Sequence, residues 1–238
     1  MSIRSPSFLV TVAAVATVAG ALCLVPGGAA RALDLSAISN ADAALAVKTA
    51  LERSASAAVA TLGATDGFLG NPKVRIPPPA GLQRIERTMK MMGRQKQFDD
   101  LVASINRAAE QAVAKAKPLL VDAVQSMTVA DAKGIVAGPE DSVTRFFRER
   151  TERALSAQFL PIVKQATDQS GLARQYNTLA GQAATFGMMD ETEARIEDYV
   201  TARALDGLYL MIAEQERAIR KDPVGTGSAI LRRVFGAK

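Results

Sequence analysis

The amino-acid sequence predicts an all-α fold: a single-domain, irregular helical bundle of about eight helices, two of them long, preceded by a signal peptide. Three observations lead there. Apolar residues recur at steps of three and four through most of the chain, and no stretch shows the alternation of a strand. Glycine and proline punctuate the periodic stretches, as at Pro26-Gly27-Gly28 and Gly138-Pro139. The first 32 residues differ from the rest in being apolar and nearly uncharged.

Residues 1–32 read as a secretory leader. Arg4 supplies the positive start, residues 8–25 the apolar run, and Ala30-Arg31-Ala32 the small-x-small pattern that places a cut after Ala32. The competing reading is an uncleaved anchor helix, since the run is long for a leader and short for a span. Lipidation of Cys23 is disfavoured by the bulk of Leu22 before it. Residues 33–238 then form one helical domain with no later segment long and apolar enough to span a bilayer.

Asp34-Leu35-Ser36 opens that domain. A helix over 40–62 is expected from Leu45, Val47, Leu51, Ala55, Val59 and Leu62, with Asn40 as N-cap and Gly63 as stop. Residues 65–79 hold four prolines and two glycines, which forbid a helix, yet Phe68, Leu69, Val74 and Ile76 are apolar. An extended loop pinned to the core follows from that. A shorter helix over 82–92 turns Leu82, Ile85, Met89 and Met92 inward and ends at Gly93.

The spine of the fold is expected over 97–127. Phe98, Leu101, Val102, Ile105, Ala109, Ala112, Val113, Ala116, Leu119, Leu120, Ala123, Val124 and Met127 share one side of a helix. Unbroken, it would be roughly 45 Å long. Pro118 lacks an N–H and collides with the carbonyl of Ala114, so a kink or break is expected there.

Thr128 and Asp131 have capping-box spacing and start a short helix that stops at Gly138-Pro139. Another begins at Asp141 or Ser142, with Val143, Phe146, Phe147, Ala154, Leu155 and Phe159 inward, is interrupted at Pro161 and continues to about Asp168. After Gly171 comes a helix carrying Leu172, Tyr176 and Leu179, then a loop over 181–189. Asp190 and Glu193 open the second long helix, over 193–221, with Ile196, Tyr199, Val200, Leu205, Leu208, Tyr209, Ile212 and Ile219 as its stripe. Gly207 inside it marks a close approach by another helix. Pro223 ends it, and Ser228 caps a short helix whose Leu231, Val234 and Phe235 dock back.

Composition narrows function by exclusion. The chain of 238 residues is 48% hydrophobic but only 5% aromatic, without tryptophan, so its core is aliphatic and rich in alanine. Without the leader, 27 basic side chains (29 minus Arg4 and Arg31) face 24 acidic ones, a net +3 too mild for a nucleic-acid binder. Histidine is absent and Cys23 is the one cysteine. Once the leader is gone, Ser-His-Asp and Cys-His catalysis, Cys/His zinc sites, His- or Cys-ligated haem, iron–sulfur clusters and disulfides are all excluded. No cofactor and no metal site is expected.

Several short segments occur in an order shared with a known family. They are Asp66-Gly67-Phe68-Leu69 with Asn71-Pro72, Ile76-Pro77, Asn106-Arg107-Ala108-Ala109-Glu110-Gln111-Ala112, and Ala116-Lys117-Pro118. Phe146-Phe147-Arg148, Pro161-Ile162-Val163-Lys164-Gln165-Ala166, Tyr199-Val200-Thr201, Ala204-Leu205-Asp206-Gly207-Leu208 and Val234-Phe235-Gly236 follow. Through them the chain resembles the bacterial family catalogued as domain of unknown function 4197. It departs at Phe146, where the family favours tyrosine, and at Pro78, where it favours leucine. The resemblance implies an exported, helical, single-domain protein and no particular activity.

The candidate polar cluster is Asp66, Asn71, Asn106, Arg107 and Glu110. Asn106 borders the apolar stripe of the spine, and a buried asparagine must be hydrogen-bonded. The cluster therefore serves either as a structural network joining spine to loop or as a ligand pocket beneath it. Asp66 and Asn71 lack the ligand ladder of a calcium loop. Asp122, Asp206 and Glu214 are the acids considered for glycosidic chemistry. Arg145, Arg148, Arg150 and Arg153, among Glu149 and Glu152, read as a solvated charged face with the i,i+4 pairs Arg148–Glu152 and Glu149–Arg153, or else as a patch for an anionic lipid or polymer. Met89, Met91, Met92, Met188 and Met189 read as gap-filling core. No residue can be assigned as catalytic. The leading expectation is a non-enzymatic periplasmic or secreted protein that binds an envelope component. The alternatives are a carboxylate-dependent hydrolase of an envelope polymer, and a carrier of a small apolar ligand or lipid with a cavity lined by Leu, Val and Met.

Overall fold

A computed structural model describes residues 40–185 and 194–221. Among them are eight helices: α1 (Asn40–Leu62), α2 (Ala80–Met91), α3 (Gln95–Val113), α4 (Lys117–Gln125), α5 (Val129–Ala137), α6 (Ser142–Asp168), α7 (Gly171–Thr185) and α8 (Ile196–Lys221). No strand occurs among the described residues. The expected leader with its cut, the start of the domain at Asp34, the Asn40 side chain, the Asp190–Glu193 cap, Met188, Met189 and the helix from Ser228 lie outside the described residues.

The spine is two helices, α3 and α4, which bury their stripes in the same core. The break falls where proline requires it. Pro118 occupies the first turn of α4, where a missing N–H costs nothing. The connection tightens into i→i+3 bonds, Lys115 N–H to Ala112 O at 3.0 Å and Ala116 N–H to Val113 O at 2.9 Å. Pro161 does the opposite of what is expected from sequence, since α6 runs through it for 27 residues. Pro161 and Ala157, whose carbonyl loses its partner, are both exposed, so the proline lies on the solvent side of the helix. Leu155, Phe159 and Val163 carry the buried stripe across the site.

Helices α3, α6 and α8 pack on one another at the centre. Helix α1 lies against α4, α5 and α8, while α2 leans chiefly on α3. Helix α7 rests against α6, α3 and α8. Alanines with no exposed surface, Ala58, Ala108, Ala109, Ala112 and Ala204, let these backbones approach closely. The capping box of α5 is present: Thr128 Oγ1 accepts the Asp131 N–H at 3.1 Å, and Asp131 accepts the Thr128 N–H at 2.9 Å. The Thr128 N–H and then its hydroxyl hold the Asp131 carboxyl below its ordinary 3.8.

Five inward assignments made from periodicity fail at the edges of stripes. Leu45, Ile85, Met92 and Leu179 are exposed, as is Ala154 on α6. Helix α1 buries Ala44, Ala55 and Ala58 beside its larger residues, so its stripe turns away from Leu45. Of the three described methionines taken for core filling, Met89 alone is buried; Met91 and Met92 are 75% and 65% exposed.

Residues 64–79 cross the bundle as turns and extended chain. Phe68, Val74 and Ile76 are buried, as expected. Phe68 explains Gly207: a Cβ there would stand 2.7 Å from Phe68 Cε1. The close approach at Gly207 is by the loop, not by a helix. Alanine would gain about 1 kcal/mol of helix propensity, against about 1–3 kcal/mol of overpacking. Gly207→Ala is expected to lower stability by about 1 kcal/mol net, read as a lower urea midpoint at unchanged slope. Adding Phe68→Leu to Gly207→Ala should cost less than the sum of the two changes.

Candidate functional site

The geometry around the predicted cluster begins with the loop backbone. Between Asp66 and Gly70 the chain makes one helix-like turn, Gly70 N–H donating to Asp66 O at 3.0 Å. The amides of Phe68 and Leu69 point inward from that turn without helical partners. Glu110 of α3, buried, accepts both through Oε1 at 3.1 Å. Its Oε2 accepts from Arg107 Nη1 at 2.8 Å, and Arg107 Nη2 donates to Asp66 Oδ1 at 2.7 Å. Asp66 sits at φ +65°, the left-handed conformation that aspartate tolerates better than most residues.

Asn106, one residue before Arg107, treats Ile76 as a strand neighbour would. Its Oδ1 accepts the Ile76 N–H at 2.8 Å, and its Nδ2 donates to Ile76 O at 2.9 Å and to Val102 O at 2.8 Å. Asn71 does not join the network. Its Oδ1 accepts the Lys73 N–H at 3.1 Å in a local turn. Asp66, Arg107, Glu110 and Asn106 are therefore committed to holding the loop, and Phe68, Val74 and Ile76 fill the space beneath it.

Two more buried carboxylates, unnoticed in the sequence, use the same chemistry. Glu216 of α8 accepts the Val143 N–H at 3.2 Å and the Thr144 N–H at 3.3 Å, capping α6, whose own Asp141 supplies no side-chain cap. Arg220 Nη2 binds Glu216 Oε1 at 2.9 Å and the Ile135 carbonyl at 2.9 Å, which ties α5 to the same point. Glu197 accepts from Arg195 Nη2 at 2.7 Å and from Asn177 Nδ2 at 2.9 Å, while Asn177 Oδ1 accepts the Ile196 N–H at 2.8 Å. Burial pushes the Glu197 carboxyl up, but the hydrogen bonds and charge of Arg195, a backbone N–H and Asn177 together hold it below its ordinary 4.5. The neighbouring Asp198 is raised, first by burial. The sequence signal was available: Glu216 lies four residues after Ile212, on the apolar stripe, as Asn106 lies on that of α3.

The acids considered for catalysis are not brought together. Asp206 pairs with Arg148 at 3.3 Å and Arg203 at 3.4 Å, Glu214 with Lys73 at 2.7 Å, and Asp122 is exposed on α4. Among the described residues no group of three or more acidic side chains is arranged to hold a metal ion. The Tyr209 phenol, against Thr151 Oγ1 at 3.0 Å, is pushed by burial up to about 12, so it stays protonated at neutral pH. The arginines of α6 are largely neutralised: Arg145 pairs with Asp141 and Arg148 with Glu152, and Arg150 lies 3.6 Å from Asp131. The expected Glu149–Arg153 pair does not form.

Open volume lies elsewhere, around α7. A cavity of about 420 Å³ is lined by Arg94, Gln97, Asp100 and Ser104 of the α3 end, by Gln169 and Ser170, and by Leu172 and Gln175. Next to it a groove of about 300 Å³ between α2 and α7 is lined by Leu82, Ile85, Tyr176, Leu179 and Ala180, again with Leu172 and Gln175. The two share a wall. One half offers carboxamides, hydroxyls, a guanidinium and a carboxylate; the other is almost wholly apolar.

The sequence model of one family, described as "Protein of unknown function (DUF4197)", matches residues 37–236. No curated protein and no solved structure matches the chain.

Asn106→Ala is expected to destabilise the fold by about 3 kcal/mol, because it strands both polar groups of a buried Ile76; thermal and urea unfolding measure it. The pH dependence has a definite sign. A carboxyl lowered by folding contributes stability above its unfolded value, and that contribution is lost as pH falls through its folded value. Glu197 therefore makes stability decline below about pH 4.5, and Glu197→Gln should flatten that decline in acid unfolding curves.

Proposed function

The chain belongs to the DUF4197 family of proteins of unknown function, and from that premise we propose that it is a non-enzymatic binding protein of the cell envelope. The reading has residues 1–32 export it, with the cut after Ala32, and residues 33–238 act as one helical domain. What it binds, on this reading, is a single-chain amphiphile, held where α2, α3, α6 and α7 meet.

One observation carries the proposal: the polar cavity and the apolar groove lie side by side, with Leu172 and Gln175 in the lining of both. Ligand sites are concave, mostly apolar and fitted with a few oriented polar groups. The α2–α7 groove supplies the apolar wall, and Arg94, Asp100 and Ser170 the polar end. The predicted cluster at Asp66, Arg107 and Glu110 directs its ion pairs at one another and the buried Glu110 carboxylate at the loop amides. The carrier reading of the sequence is thereby narrowed, because the groove opens at the surface and is lined by Leu, Ile, Tyr and Ala rather than Leu, Val and Met. No observation favours the hydrolase.

Dansyl-undecanoate is a suitable probe. Saturable binding with a fluorescence increase is expected, and Leu172→Gln should weaken it about tenfold by removing apolar contact at the shared wall. A parent protein that shows no saturable binding, or a Leu172→Gln protein that binds unchanged, would overturn the assignment.

A further inference from the structure

Helix α2 carries a surface that the binding cleft does not use. Its attachment is slight, for within it only Leu82 and Met89 are buried. Nine residues after Leu82, Met91 projects about 180° away from the buried side, and it is 75% exposed. Met92 beside it is 65% exposed. Arg84 and Arg87 lie within about 40° of Met91 around the helix axis, and Lys90 flanks that face about 100° round from Met91. Arg84, Arg87 and Lys90 are exposed and have no ion-pair or hydrogen-bond partner among the described residues. Glu86 is the single acid of the helix.

This is a combination that folding does not require. Two large thioethers in water and three cations against one acid on one short helix contribute nothing to the core. The same combination suits a plane that is apolar inside and negatively charged at its face. We infer that α2 is a docking surface for an anionic phospholipid bilayer: Met91 and Met92 enter the headgroup boundary, and Arg84, Arg87 and Lys90 meet phosphates. At 12 residues α2 is about 18 Å long, a length that lies along a surface. No described helix is long and apolar enough to cross a membrane, so the contact is peripheral. Charge complementarity selects lipid phosphate, and the unshielded methionines select a bilayer over a soluble acidic protein.

Vesicle flotation tests this with protein recovered from expression of the full chain, every variant being made in that background. The parent should partition at least tenfold more strongly onto phosphatidylglycerol-containing vesicles than onto phosphatidylcholine vesicles, and salt should weaken it. The triple charge reversal R84E/R87E/K90E should abolish the phosphatidylglycerol preference. Met91→Asp with Met92→Asp should lower partitioning about fivefold with unchanged circular dichroism. Equal partitioning onto both vesicles, an unaffected triple variant, displacement by polyglutamate at matched charge, or self-association lost in the methionine variant would each overturn the inference. Leu172→Gln should leave vesicle partitioning intact, so failure of the cleft reading and failure of the docking reading are told apart.

Discussion

The backbone between Asp66 and Ile76 enters the core without belonging to a helix or a sheet, and its polar groups need partners there. Proline and glycine deny this stretch any regular element of its own. Two side chains of α3 take the place of one: the carboxylate of Glu110 receives two amides, and the carboxamide of Asn106 pairs both polar groups of Ile76. With those bonds made, Phe68 can sit without exposure against Gly207, and α3, the loop and α8 become a single packed unit.

The same solution recurs at Glu216 and Glu197. In each case a carboxylate on a buried helical face completes backbone or amide groups of another element, and an arginine one turn or less away offsets its charge. Ion pairs of this kind add little net stability, because the buried carboxylate must be stripped of water. Their effect is on arrangement. A helix shifted by one residue would leave a buried charge unpaired, so alanine-rich faces that could slide past one another are held in one register.

Much of this fold was legible in the sequence. Periodicity located every described helix, Pro118 located the break between α3 and α4, and Thr128 with Asp131 located a cap. Stripe edges were harder. Leu45, Ile85 and Leu179 lie on the right helices but beyond the angle that neighbours cover, and periodicity cannot say how wide that angle is. Pro161 misled because the harm done by a proline depends on whether the freed carbonyl meets water. Of the candidate cluster, Asp66, Arg107 and Glu110 bond to one another, Asn106 bonds the same loop separately at Ile76, and Asn71 stays in a local turn. Glu197 and Glu216 were passed over because an acid on a helix is ordinarily solvated. The cleft at α7 had no local signature, since its lining comes from three separate stretches of chain.

Helix α8 has one more consequence, for the order of assembly. It provides the seat for Phe68 at Gly207, the cap for α6 from Glu216, and the Tyr199 hydroxyl that donates to Pro77 O at 3.1 Å. Its partners lie as many as 141 residues earlier, as for Glu214 and Lys73. A chain emerging from its N-terminal end completes these contacts only once α8 has been made. Closure of this bundle is thus a late, long-range event, and the nascent protein spends most of its synthesis in need of protection from its own apolar faces.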